Sequence, residues 1–78
     1  MPHVAVKLYA GKSEEEKQRI AEAMTQALKD AIGSTAESVS VSIEDVQPSA
    51  WMDEVFEKDI VMNKHLLYKR PGYAEIPE

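Results

Sequence analysis

The sequence predicts an α/β (α+β) fold in which a single βαβ unit is followed by short C-terminal helices. Three patterns support this prediction: an alternating apolar segment near the N-terminus, a four-residue apolar period in the next segment, and a second alternating segment after that. A chain of this length has room for one modest core, so residues 1–78 are expected to form a single domain.

The first strand is expected from His3 to Tyr9. Val4, Val6 and Leu8 alternate with polar or small residues, which is the pattern of a half-buried strand. The Ala10-Gly11-Lys12 segment then breaks the alternation, and the strand is expected to end before it.

A long helix is expected to begin at Glu14. Ser13 and Glu16 have the spacing of a capping box, in which each residue satisfies a backbone amide of the other. Gly33 stands where a left-handed C-terminal cap belongs. The apolar face of the helix repeats every four residues, at Ile20, Met24 and Leu28.

A second strand is expected over residues 39–44, where Val39, Val41 and Ile43 alternate with polar residues. A strand, helix and strand in this order form a right-handed crossover with parallel strands. Parallel sheets are normally covered on both faces, and two strands alone are marginal. We therefore expect two copies of the chain to pair into a four-stranded sheet with helices on one face.

The C-terminal third is expected to be mostly helical. Gln47-Pro48-Ser49 indicates a turn before a short helix from Ala50 to about Lys58, and a helical turn is expected around Asn63 to Tyr68. The segment Arg70 to Tyr73 has the composition of a turn. The last residues are expected to fray or to pack on a neighbouring copy.

The composition points to self-association. Small chains usually depend on disulfides, metals or partner subunits, because a core of this size supplies only about 3–5 kcal/mol. The chain has no cysteine, and its two histidines, His3 and His65, are too scattered for a structural metal site. No metal and no cofactor are expected. Association of identical chains into a homo-oligomer is therefore the expected source of additional stability.

The charge pattern disfavours nucleic-acid and membrane partners. The formal net charge is -5, and no basic face could follow a phosphate backbone. No apolar run approaches the roughly 20 residues of a membrane span, and the N-terminus lacks a signal-peptide pattern. A cytoplasmic protein that acts on a small molecule is expected.

Pro2 is the candidate catalytic residue. Methionine before a small residue such as proline is normally removed, and the exposed secondary amine can then accept a proton. An ordinary terminal amine titrates near about 7.7–8.0, and burial lowers that value towards neutrality, where a general base works best. A retained Met1 would make the nitrogen a tertiary amide without basicity. His3, beside it, is expected to be a surface or interface residue.

The chain resembles the 4-oxalocrotonate tautomerase family. Met1-Pro2-His3-Val4, the loop Gly11 to Lys17 and the strand Ser38 to Glu44 are similar to the corresponding parts of its short protomers. The tail Leu66 to Tyr73 looks like the longer bacterial subgroup related to phenylpyruvate tautomerases. The resemblance implies a tautomerase/MIF-like fold, Pro2 as general base and no cofactor. It also implies dimers for the longer subgroup, with trimers of dimers as the alternative.

The same resemblance implies three substrate-binding residues. Lys12 stands where the family usually has an arginine that holds a substrate carboxylate, and lysine keeps the charge but loses the bidentate fork. Ser40 replaces a second arginine of the short type, which argues against a dicarboxylate substrate. Trp51 stands at the aromatic wall near the proline. The alternatives are surface positions for Lys12 and Ser40 and structural packing for Trp51.

The expected function is therefore keto-enol tautomerisation of a small 2-keto or enol acid, such as a phenylenolpyruvate-like compound. Two alternatives remain. Relatives with a cationic terminal proline hydrate, dehalogenate or decarboxylate unsaturated acids, although they usually rely on added arginines and carboxylates. A non-enzymatic, homo-oligomeric binding module is the other.

Overall fold

The computed structural model describes all 78 residues. Its main elements are strand β1 (His3–Tyr9), helix α1 (Glu14–Ile32), strand β2 (Ser40–Val46) and helix α2 (Met52–Val61). Short 3-10 turns occur at Ala36–Ser38, Pro48–Ala50 and Lys64–Leu66. The chain forms two compact units, Met1–Val46 and Gln47–Glu78, so the single domain expected for residues 1–78 stays a prediction. None of the helices is sufficiently long and apolar to span a membrane.

The two strands form the parallel pair that the sequence predicts. Their register runs from His3 beside Ser40 to Tyr9 beside Val46. β1 has the predicted limits, whereas β2 starts one residue later and ends two residues later than the predicted 39–44. The later start has a local cause, because the Val39 N–H closes the preceding 3-10 turn by donating to the Ala36 carbonyl at 3.3 Å.

The caps predicted for α1 are both present. The Ser13 hydroxyl accepts from the Glu16 N–H at 3.1 Å, and the Glu16 carboxylate accepts from the Ser13 N–H at 3.0 Å. At the other end Gly33 has φ 72°, and its N–H donates to the Lys29 carbonyl at 3.0 Å. Glycine adopts this left-handed conformation without the penalty that a Cβ brings.

The first unit leaves one face of its sheet exposed. On β1 the residues at odd positions, from His3 to Tyr9, are exposed, whereas Val4, Val6 and Leu8 are half-buried. α1 packs beside β2, yet none of its residues is buried. Within this unit the predicted apolar faces are therefore only half covered.

α2 differs from the short helix expected between Ala50 and about Lys58. It begins at Met52, continues to Val61, and has wide turns in which the Met62 N–H donates to the Glu57 carbonyl five residues earlier, at 3.0 Å. The apolar residues explain the wide turns. They recur every four to five residues along the segment, rather than every 3.6 as in an α-helix. They are Trp51, Val55, Phe56, Ile60 and Val61.

The C-terminal residues pack within their own unit, so the fraying expected for them is wrong, while packing on a neighbouring copy stays a prediction. Ile76 is only 8% exposed. The Lys64 ammonium donates to the Pro77 carbonyl at 2.7 Å, and Arg70 pairs with Glu78 at 2.7 Å. Both polar contacts are exposed and contribute little, so the burial of Ile76 mainly holds the tail. The predicted helical turn is confirmed as the 3-10 turn Lys64–Leu66.

Candidate active site

Pro2 lies immediately before β1 and is half-buried. Its carbonyl accepts a hydrogen bond from the Ser40 N–H at 3.1 Å, which extends the parallel ladder by one residue beyond His3. Met1 precedes it and is fully exposed. With Met1 in place the Pro2 nitrogen is an amide without a basic lone pair, so any basicity depends on cleavage of the Met1–Pro2 bond.

Ser40 lies beside the start of β1, as the parallel register requires. His3 and Ser40 are direct partners in this register, and the His3 Nδ1 lies 2.7 Å from the Ser40 Oγ. The sequence identified Ser40 as a site residue but left His3 as a surface or interface position. His3 is indeed exposed, yet it is the side chain that fixes the Ser40 hydroxyl. Only the strand register, which depends on pairing across the chain, could have revealed this contact.

Lys12 lies in the loop between β1 and α1. Gly11 before it has φ 123°, a backbone conformation that favours glycine. Lys12 lines a shallow groove of about 310 Å³ together with Glu16, Arg19, Ile20 and Ala23. The groove therefore carries two cations and one carboxylate over an apolar floor. The sequence did not single out Arg19, although its spacing of three residues from Glu16 on the predicted helix places both residues on one face.

The electrostatics of this groove keep Glu16 ionised. Hydrogen bonds from the backbone and side chain of Ser13 lower the pKa of Glu16, and the charges of Lys12 and Arg19 lower it further. Glu16 is committed to the cap, since its carboxylate already accepts from the Ser13 N–H. The groove thus offers positive charge from Lys12 and Arg19 to an anion.

Pro2 and Lys12 are at opposite ends of β1. The backbone pairing extends from the Pro2 carbonyl to the Ala10 N–H, which donates to the Val46 carbonyl at 2.9 Å. At a rise of about 3.3 Å per residue, this stretch is about 26 Å long. A lysine side chain is much shorter than that, so the structure does not bring Lys12 and Pro2 of one chain together.

Trp51 belongs to the second unit and directly precedes α2. It is half-buried, and its indole Nε1–H donates to the Tyr73 hydroxyl at 3.0 Å. The Tyr73 ring also lies against the buried Phe56, with ring centroids 6.0 Å apart and an interplanar angle of 56°. The sequence placed Tyr73 only in a turn; no local pattern links positions 51 and 73.

A family model described as "Tautomerase enzyme" matches residues 2–58 of the chain. The chain is also 38% identical over 76 residues to a probable tautomerase of Xylella fastidiosa, a match that covers 97% of this chain and 93% of the relative. The chain belongs to the tautomerase family. It is 43% identical over 75 residues to Tautomerase PptA of Pectobacterium carotovorum, covering 95% of this chain and 99% of that protein. This tautomerase is an isomerase.

Solved structures support the same assignment for the tautomerase fold. TomN, a 4-oxalocrotonate tautomerase homologue in the tomaymycin biosynthetic pathway, is similar with a TM-score of 0.62 and 34% identity, over 64% of this chain and 77% of that one. A 4-oxalocrotonate tautomerase isozyme structure from Methylibium petroleiphilum gives a TM-score of 0.58 and 39% identity, over 59% and 74% of the two chains. The predicted family and βαβ fold of the tautomerase protomer are confirmed.

Proposed function

We infer that this tautomerase interconverts the keto and enol forms of a small 2-keto acid, with phenylenolpyruvate as the representative substrate and Pro2 as the general base. The observation that carries the proposal is the position of Pro2. It is half-buried, directly precedes β1, and is anchored to β2 by the hydrogen bond from Ser40.

Removal of Met1 would make Pro2 a secondary amine with a free lone pair. The pyrrolidine ring and the anchored carbonyl together restrict the direction of that lone pair. Pro2 is half-buried, and burial disfavours the charged form of an amine, which suits a general base that works near neutral pH. These properties suit a base that must both accept and return a proton.

Lys12 is proposed to hold the substrate carboxylate. Because it is about 26 Å from Pro2 along β1, the Lys12 that serves a given Pro2 belongs to another copy of the chain. The half-covered faces of the first unit, with no buried residue in α1, support such an assembly. We propose a homodimer, with a hexamer as the larger alternative.

The side chains proposed to bind the substrate favour one with a single carboxylate. Ser40 supplies a hydroxyl held by His3 rather than a second cation. Trp51 supplies apolar surface for the part of the substrate that does not react, and aromatic side chains of this kind are common in small-molecule sites. A carboxylate at one end and an aromatic ring at the other describe an aryl enol acid.

The reaction then needs one proton acceptor and one site for negative charge. The Pro2 amine takes the proton from the enol hydroxyl, and the electrons of the O–H bond form the C2 carbonyl. The electrons of the C2–C3 double bond then form the new C3–H bond with the proton that the Pro2 ammonium returns. The reverse path takes the C3 proton and returns it to oxygen. Lys12 and the Ser40 hydroxyl stabilise the enolate charge between the two transfers, which is the step that fixed dipoles and charges accelerate most.

The test is the turnover of phenylenolpyruvate by the wild type and by a Pro2→Ala variant, each checked for loss of Met1 by mass spectrometry. Loss of general-base catalysis predicts a decrease in kcat of about 10²–10⁴-fold. Pro77→Ala is the matched control, because it replaces an exposed proline and retains the carbonyl that accepts from Lys64. Unchanged turnover in Pro2→Ala would exclude the proposed base.

A further inference from the structure

The C-terminal segment contacts the candidate aromatic wall through Tyr73. The Trp51 indole nitrogen donates to the Tyr73 hydroxyl at 3.0 Å. Trp51 and Tyr73 are 22 positions apart in the sequence, and the contact exists only because the tail folds back within the second unit. The indole is half-buried, and this hydrogen bond fixes the position of its nitrogen relative to the tail.

Tyr73 is itself held by packing on the same unit. Its ring lies 6.0 Å from that of Phe56, and Phe56 is only 7% exposed. Three residues later the tail is anchored again by the buried Ile76, and Lys64 holds the Pro77 carbonyl at 2.7 Å. The Tyr73 hydroxyl is therefore presented from a supported ring, although the residue remains 58% exposed.

Tyr73 lies outside the region that the family model matches, which ends at residue 58. The full-length relatives, by contrast, align over about 95% of the chain. The contact that reaches Trp51 therefore comes from a part of the chain that the relatives share but the family model does not match.

We propose that Tyr73 is a positioning residue that fixes the Trp51 indole and thereby sets the preference for aromatic enol acids. This inference rests on the proposed function, in which Trp51 contacts the apolar part of the substrate. Tyr73 acts through Trp51 and takes no proton from the substrate. A fixed indole favours a flat ring at the substrate position, because stacking and edge contacts between aromatic rings depend on their relative orientation.

The kinetic test compares Tyr73→Phe with the wild type on two substrates: phenylenolpyruvate and a small enol acid without an aromatic ring. Tyr73→Phe retains the ring against Phe56 and removes only the acceptor. Loss of one neutral hydrogen bond predicts a rise of about two- to tenfold in KM for the aromatic substrate, with kcat changed less than about twofold. KM for the other substrate is expected to stay at the wild-type value. Tyr68→Phe is the control, since Tyr68 is fully exposed.

A spectroscopic test follows the indole directly, because Trp51 is the only tryptophan in the chain. In Tyr73→Phe the indole lacks this hydrogen bond and is expected to have a lower fluorescence anisotropy than in the wild type or in Tyr68→Phe. A double-mutant cycle with Trp51→Phe completes the experiment. In the Trp51→Phe background the Tyr73→Phe change has no donor to release, so it should leave KM unchanged.

Each outcome decides the proposal. A substrate-selective rise in KM together with lower anisotropy supports it. Equal KM changes for both substrates, or additive effects in the cycle, would mean a merely structural role and overturn it, as would wild-type kinetics and anisotropy. The proposed function is tested independently, because it fails if Pro2→Ala keeps full turnover. In that case the anisotropy of Tyr73→Phe still shows whether Tyr73 holds the indole.

Discussion

Mixing a Pro2→Ala chain with a Lys12→Ala chain is expected to give more activity than either variant has alone. The reason is the length of β1, which separates Pro2 from Lys12 by about 26 Å in one chain. If the two residues serve one substrate, they come from different copies. A mixed oligomer then contains sites with the native Pro2 of one chain and the native Lys12 of the other.

The expected activities follow from the energy of the Lys12 contact with the substrate carboxylate and from the number of intact sites in the mixture. A hydrogen bond to a charged group contributes about 1.5–3 kcal/mol, so Lys12→Ala alone should lower kcat/KM by about 10- to 150-fold. After random reassembly of equal amounts, half of the sites have an intact Pro2, and half of those have an intact Lys12. The mixture should therefore recover about one quarter of the wild-type activity, whether the closed oligomer is a dimer or a hexamer.

The assay unfolds equal amounts of the two variants together in urea, refolds them by dilution, and measures turnover of phenylenolpyruvate. The matched control mixes the wild type with a chain that carries both substitutions. If each site combines Pro2 of one chain with Lys12 of another, both mixtures should have about one quarter of full activity. Sites contained within one chain predict almost none in the first mixture and about one half in the second. That second pattern would refute the shared site.

Two further predictions concern stability. Ser13→Ala removes the side-chain half of the α1 capping box, so it should cost about 1 kcal/mol and lower Tm by about 4–8 °C relative to an exposed control, Ser49→Ala. A thermal melt followed by circular dichroism measures this, and equal Tm values in the two variants would contradict it. The hydrogen bond with Asp45, and then that with Glu14, raise the pKa of Lys17. Because the folded state binds this proton more tightly, the stabilisation is complete below the unfolded pKa of about 10.4 and is lost as pH rises through the folded value. Asp45→Asn should therefore unfold at lower urea than the wild type at pH 7–9, with the gap closing above about pH 10.4; a gap that persists there would contradict the assignment.

Elements defined by local chemistry were predictable from the sequence. The limits of β1 and α1 depend on alternation, on the Ser13 and Glu16 cap and on Gly33, all of which act within a few residues. The parallel pairing followed from the order of the elements. The alternation of apolar residues predicted the start of β2 less well. Residues 36–38 form a 3-10 turn, and the strand therefore begins one residue later than the alternation indicates.

Features that depend on distant pairing were not predictable. The five-residue spacing of Trp51, Phe56 and Val61 is consistent with the wide turns of α2. However, i→i+5 helices are too rare to be expected from spacing alone. The hydrogen bonds of Ser40 with His3 and of Trp51 with Tyr73 join positions 37 and 22 residues apart. Their partners became visible only with the strand register and the folded tail.

The hydrogen bond between Ser40 and the Pro2 carbonyl has a consequence for maturation. Proline has no backbone N–H, so cleavage of the Met1–Pro2 bond removes no donor from the strand ladder. The ladder contact at this residue is made by its carbonyl, which cleavage leaves in place. An aminopeptidase acting on exposed Met1 would thus move the terminal amine to Pro2 without loosening the sheet. We expect chains with and without Met1 to have the same amide protection along β1 in hydrogen exchange, while differing in activity.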